Sequence, residues 1–189
     1  MLLNAERGVG SFSMQSLTLL ANDQLVAALN ALDVQFLFGG EQPLVDNQMN
    51  PPKLLCSLAM SDDARLRLAI IPLLLRHPEF ATATKVALEE SLQEAQIVLK
   101  CYYTAAHLLQ QKYFARLQRI FGTHVALPDL FGAELGLITF QNVDEGLSRL
   151  AQRQRTLSGR SINWLGTYEH GAQRLLLHHE RRQAWQRSQ

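Results

Sequence analysis

The residues from 163 to 174, NWLGTYEHGAQR, hold the densest set of groups able to do chemistry in this chain. Asn163, Thr167, His170 and Arg174 follow one another at spacings of four, three and four, which on a helix gathers them into an arc of about 60°. An arginine fork and an imidazole beside two shorter hydrogen-bonding side chains suit a phosphate or a carboxylate, with Arg174 as clamp and His170 as donor or proton-transfer group. The arc lies opposite an apolar stripe through Trp164 and Leu175, so the same residues also fit the plain solvated side of an amphipathic helix. Further along, Arg181, Arg182 and Arg187 surround Trp185, a pairing of cations with an aromatic ring that suits nucleic acid or an acidic protein surface. Two arginine–histidine pairs share one spacing, Arg119 with His124 and Arg174 with His179.

Metal and cofactor chemistry find no comparable pattern. His178, His179 and Glu180 are adjacent and point in different directions on a helix. Cys101 and His107 are six apart, not the three or four that align ligands on one face. No metal site and no cofactor is expected, and the chain lacks a Gly-rich phosphate loop, a Gly-x-Ser-x-Gly elbow and a dinucleotide fingerprint. Cys56 and Cys101 sit in apolar contexts and read as small buried hydrophobes, not as a disulfide.

The elements that must position these groups follow from composition and punctuation. Leucine supplies 35 of the 189 residues against 11 glycines and 6 prolines, which favours helices over many short strands. The expected fold is therefore all-α, an antiparallel helical bundle around a long central helix. Two regions are expected, a less regular one over 1–50 that can await a partner for its order and a helical bundle domain over 51–189. In the first, the apolar spacing from Leu17 to Leu32 predicts a helix with Asn22 as an internal cap, and Val34 to Phe38 is a short β-prone run ended by Gly39 and Gly40. Residues 41–50 read as a loop.

In the second, Asn50 before Pro51 predicts a helix start, and Ser61 a second cap. The helix after Ser61 should kink at Pro72 and stop at His77-Pro78. The longest periodic segment runs from Val86 to Phe121 with a stripe through Leu88, Leu92, Leu99, Tyr102, Leu109, Tyr113 and Leu117, and Gly122 closes it. Asp129 can cap one short helix, and Asn142 with Glu145 forms a capping box for a helix closed by Gly159. A last helix is expected from Ser161, its tail from about His179 fraying.

Residues 54–76, LLCSLAMSDDARLRLAIIPLLLR, resemble one HEAT-type helical repeat, with a leucine-rich first helix, an acidic turn at Asp62-Asp63 and an arginine-bearing second helix. That resemblance implies a helical hairpin and points to protein–protein contact. The Arg-x4-His spacing of Arg119 and His124 is similar to that of HEPN-type ribonucleases, and implies metal-independent RNA cleavage on a helical bundle.

Charge is unevenly spread. Residues 1–99 carry 6 basic and 11 acidic side chains, 100–140 carry 4 and 2, and 141–189 carry 8 and 4. An acidic front and an arginine-rich back can hold each other, within one molecule or between copies, or present a basic end to a partner. No apolar run is long enough to span a membrane, and no secretory signal is read at the start, so no membrane partner and a cytoplasmic location are expected. The functional expectation is a non-enzymatic interaction or regulatory subunit that binds a protein partner or itself. The alternative is an RNA-binding helical protein or a ribonuclease that uses Arg119 and His124, or Arg174 and His170, with nucleic acid reached through the basic C-terminal third.

Overall fold

The structure, a computed structural model, describes residues 19–35, 50–123 and 125–188. Within them lie α1 (Asn22–Ala31), α2 (Pro51–Met60), α3 (Ala64–Leu68), α4 (Ile70–Arg76), a 3-10 turn (Pro78–Phe80), α5 (Ala81–Glu89), α6 (Gln93–Lys112), α7 (Phe114–Phe121), α8 (Val143–Ser158) and α9 (Trp164–Arg187). The fold is all-α among these residues. Most of the β-prone run before Gly39, residues 41–49 of the loop, and His124 lie outside them.

α6 is the centre. Its residues from Cys101 to Ala106 are all buried, as are Leu99, Leu108 and Leu109, because α2, α4, α8 and α9 pack around it. A helix apolar over so much of its surface needs neighbours on several sides. Lys112 at the end of α6 reaches Asp144 at the start of α8, so these two run antiparallel, and the short link at Gly159 returns the chain antiparallel again in α9. Where α9 meets α7 the pair is parallel, with Arg116 on Glu180 and the Ile120 carbonyl on Gln183. Leu25, Leu29 and Val34 of the α1 region are buried in the same core.

Several terminators act as the sequence indicates. Asn50 accepts from the Lys53 amide at 3.1 Å ahead of Pro51, and Asn142 accepts from the Glu145 amide at 2.9 Å. The Glu145 carboxylate reaches one residue further back than a capping box requires, to the Gln141 amide at 2.7 Å. Gly159 closes α8 with φ 64°, a left-handed conformation that glycine adopts without steric cost. The break expected from Pro72 falls between α3 and α4 at Ala69. Pro72 cannot donate to the Leu68 carbonyl and its ring crowds that turn, and the Ala69 amide is shared between Arg65 and Leu66 carbonyls, both at 3.1 Å.

The single helix expected over 86–121 is three. α5 ends because the Ser91 hydroxyl donates to the Ala87 carbonyl at 2.6 Å and the Gln96 amide donates to the Leu88 and Ser91 carbonyls, both at 3.0 Å. Those bonds satisfy carbonyls that a continuing helix would otherwise use. Leu92 then takes an extended conformation, becomes the N-cap of α6 and leaves the expected core stripe. A second break at Tyr113 turns α7 onto α9.

Other expectations also need correcting. α1 begins after Ala21, not at an Asn22 cap, and Gln24 reaches back to accept from the Ala21 amide at 2.9 Å. Asp63, not Ser61, caps α3, accepting from the Arg65 amide at 2.8 Å. Asp129 caps a turn closed by Gly136 and not a helix. α9 starts on Asn163 instead of Ser161, and its tail stays helical through Arg187 because Arg182 holds Asp33 and Gln183 holds the Ile120 carbonyl. At its middle, α9 approaches α3 and α4 so closely that a Cβ on Gly171 would stand 3.2 Å from Leu68 Cδ1.

Candidate functional site

The elements leave a cleft of about 520 Å³ between the end of α2, the turn into α3, the start of α6, the end of α8 and the start of α9. It exists because α6 begins late. Had the helix run straight through residues 90–92, Leu92 would lie in the core stripe; instead it lines the cleft and is 68% exposed. Across from it stands Ile162, 40% exposed in the five-residue link between α8 and α9. Leu68, Ile97, Val98, Tyr102 and Leu157 complete an apolar wall.

Donors interrupt that wall. Trp164 lines the cleft and is 7% exposed, yet its buried indole Nε1 has no hydrogen-bond partner. An unsatisfied buried N–H costs free energy. The Arg160 side chain lines the same space with no ion-pair partner among the described residues. Arg67 donates to the Ser61 carbonyl and its charge also acts on Asp63, which is paired with Arg65 at 3.0 Å. Burial pushes the Tyr102 phenol up to about 12 against the pull of Arg67 and Arg160, so it stays a neutral donor. None of the lining residues is a histidine or a cysteine. Asp62 and Glu94 also line it, beside the hydroxyl-bearing Ser61, Ser158 and Thr167. The cleft is equipped to bind an apolar group that brings its own acceptors.

The floor of the cleft is set by a buried pair. Tyr168, fully buried, donates its hydroxyl to Gln154 Oε1, and Gln154 is 1% exposed. This bond joins α9 to α8, and the Tyr102 ring meets the Tyr168 ring edge-on at 6.1 Å. Desolvation raises the Tyr168 pKa far above that of a free phenol, so it acts as a donor at every working pH.

The residues singled out from sequence lie around this site without converging on one point. Asn163 caps α9, accepting from the Gly166 amide at 3.0 Å, and Thr167 donates to the Asn163 carbonyl at 2.9 Å. Of the four, Thr167 alone lines the cleft. His170 is exposed on the next turn and Arg174 is half-buried beyond it. Arg119 pairs with Glu180 at 3.4 Å, the same carboxylate that Arg116 holds through two bonds of 3.1 and 2.9 Å. These cations hold the Glu180 carboxyl below its usual range. Arg181 is exposed, and Arg182 bonds Asp33 at 2.7 Å.

His179 is buried, as its place on the apolar stripe implies, and donates through Nε2 to the Asp33 carbonyl at 3.2 Å. Burial holds its pKa below the ordinary value. Asp33 is the centre of a second cluster. It has φ 56°, a conformation costly for a residue with a Cβ, and it faces Arg76 at 3.8 Å as well as Arg182 and His179.

A further polar knot, unsuspected from sequence, ties α6 to α8 and α9. Lys112 donates to Asp144 and Glu169, both at 2.6 Å, and Tyr113 donates to Glu169. Desolvation works against the ammonium, but the two carboxylates outweigh it and raise its pKa. Among the described residues no group of His, Cys, Asp and Glu is placed to hold a metal ion, and no helix is long and apolar enough to cross a membrane. No protein-family model, no curated protein and no solved structure matches this chain.

Proposed function

We propose that this chain is a non-enzymatic interaction subunit that binds a segment of a partner protein in the cleft between α2–α3, α6 and α8–α9. The occupant is a short stretch with an apolar anchor beside a carbonyl or carboxylate. The anchor lies against Leu92 and Ile162, and the acceptor takes the Trp164 N–H and Arg160. The observation that carries this reading is the cleft itself, an apolar recess with exposed Leu92 and Ile162 and an unpartnered indole donor. Exposed apolar side chains around a recess with a few placed donors are the usual composition of a recognition site.

The test compares the tagged wild-type chain with Leu92→Glu and Ile162→Glu variants, recovered from the native cell. Both substitutions fall on exposed positions, so the fold should survive, as circular dichroism can verify. A partner retained by the wild type and lost from both variants, then shown by calorimetry to bind the purified wild-type chain, supports the reading. Identical partners for all three chains would overturn it.

A further inference from the structure

α9 carries two acidic residues, and both are turned to one flank. Glu169 is held by Lys112 and Tyr113, and Glu180 by Arg116 and Arg119. The rest of its circumference outside the core presents His170, Arg174, Leu177, Arg181, Arg182 and Trp185 without an acid of its own. Asp33 also faces this side, on Arg182 at 2.7 Å. Arg181 is exposed and has no ion-pair partner among the described residues, so its charge is open to an anion.

Trp185 lies one helical turn beyond Arg181 and is 66% exposed, and Leu177, one turn before Arg181, is 45% exposed. The indole is not displayed by a loose tail. The last turns of α9 are fixed by Arg182 on Asp33 and by the Gln183 amide on the Ile120 carbonyl at 2.9 Å. A large aromatic surface left in water on a fixed helix contributes nothing to folding.

We propose that this face of α9 binds single-stranded nucleic acid, with Trp185 stacking on a base and Arg181 and its neighbours on the backbone phosphates. Guanidinium groups match phosphate through paired donors, and an exposed indole between them offers a ring face to an unstacked base. An acidic peptide would satisfy the arginines but would leave the indole without a π partner. A duplex would keep its bases out of reach. The site shares no residue with the cleft, so it stands or falls independently of the partner-binding reading.

The experiment is fluorescence anisotropy with labelled single-stranded RNA and DNA oligonucleotides, a duplex, and polyglutamate, across a salt series, with tryptophan emission followed in parallel. Single strands should bind at low salt and weaken as salt rises, and Trp185 emission should be quenched on binding. Trp185→Ala should weaken binding about ten-fold, and Trp185→Phe should retain most of it. Arg181→Ala should lower the salt slope by about 0.7. Absence of binding at low salt would overturn the proposal. So would polyglutamate binding as tightly as the single strands, with Trp185→Ala making no difference.

Discussion

Replacing Tyr168 with Phe removes one oxygen and leaves Gln154 Oε1 without its donor at a position that is 1% exposed. The lost bond alone is worth about 1 kcal/mol, and an orphaned buried acceptor raises the cost to about 1–3 kcal/mol. For a chain of this size that corresponds to a fall in Tm of about 2–12 °C. Gln154→Met should be harmful for the mirror reason, since it strands the Tyr168 hydroxyl. Combining the two removes donor and acceptor together, and the double variant should recover at least half of the summed loss, because a buried site with neither partner has no desolvated group to satisfy. Urea unfolding of all four chains measures the cycle. If the two single losses simply add, the side chains are not coupled, and the account of how α8 is held to α9 beneath the cleft is wrong.

Two further outcomes follow from the charged groups. Burial holds His179 below its usual value of 6.5, so the unfolded chain takes up this proton first; stability is intact above about pH 6.5 and falls as pH drops toward the lower folded value. Thermal unfolding between pH 8 and pH 5 should show that decline, and His179→Gln, which keeps a donor for the Asp33 carbonyl, should flatten it; an unchanged pH dependence in the variant would contradict the assignment. Arg119→Ala should alter stability by less than about 0.5 kcal/mol, since Arg119 is 66% exposed and 3.4 Å from Glu180. Arg116→Ala should cost about 1 kcal/mol, because that guanidinium holds Glu180 with two bonds, as urea midpoints of the two variants will show.

Helix identity was legible wherever a local signal governed it. Asn50-Pro51, Asn142 and Gly159 mark real boundaries because capping bonds and left-handed turns are decided by residues within a few positions of each other. The break between α5 and α6 was not legible. It contains no glycine or proline, and it depends on Gln96 turning back to two carbonyls while Leu92 gives up its place in the stripe. Periodicity alone continues the helix through that point. The cleft was hidden for the same reason, since its walls come from three separated stretches and no two of them signal one another in sequence. Asn163 shows the opposite error. Its spacing suggested a ligand for an anion, but an asparagine three residues before Gly166 is also a helix cap, and the cap is what its side chain makes.

Asp33 also bears on the order in which the molecule assembles. Its bonds to His179 and Arg182 join residues 146 and 149 positions apart. Drawing together chain ends so distant costs about 4 kcal/mol of loop-closure entropy, beyond a constant, if nothing between them is yet ordered. The cost falls away once the helices around α6 are in place, so this junction closes late on the folding path. Interactions absent from the transition state govern how fast a protein unfolds, not how fast it folds. The seam where the end of α1 meets α4 and α9 is thus a clasp on the finished molecule: loosening it shortens the lifetime of the native state while the rate of reaching that state stays nearly the same.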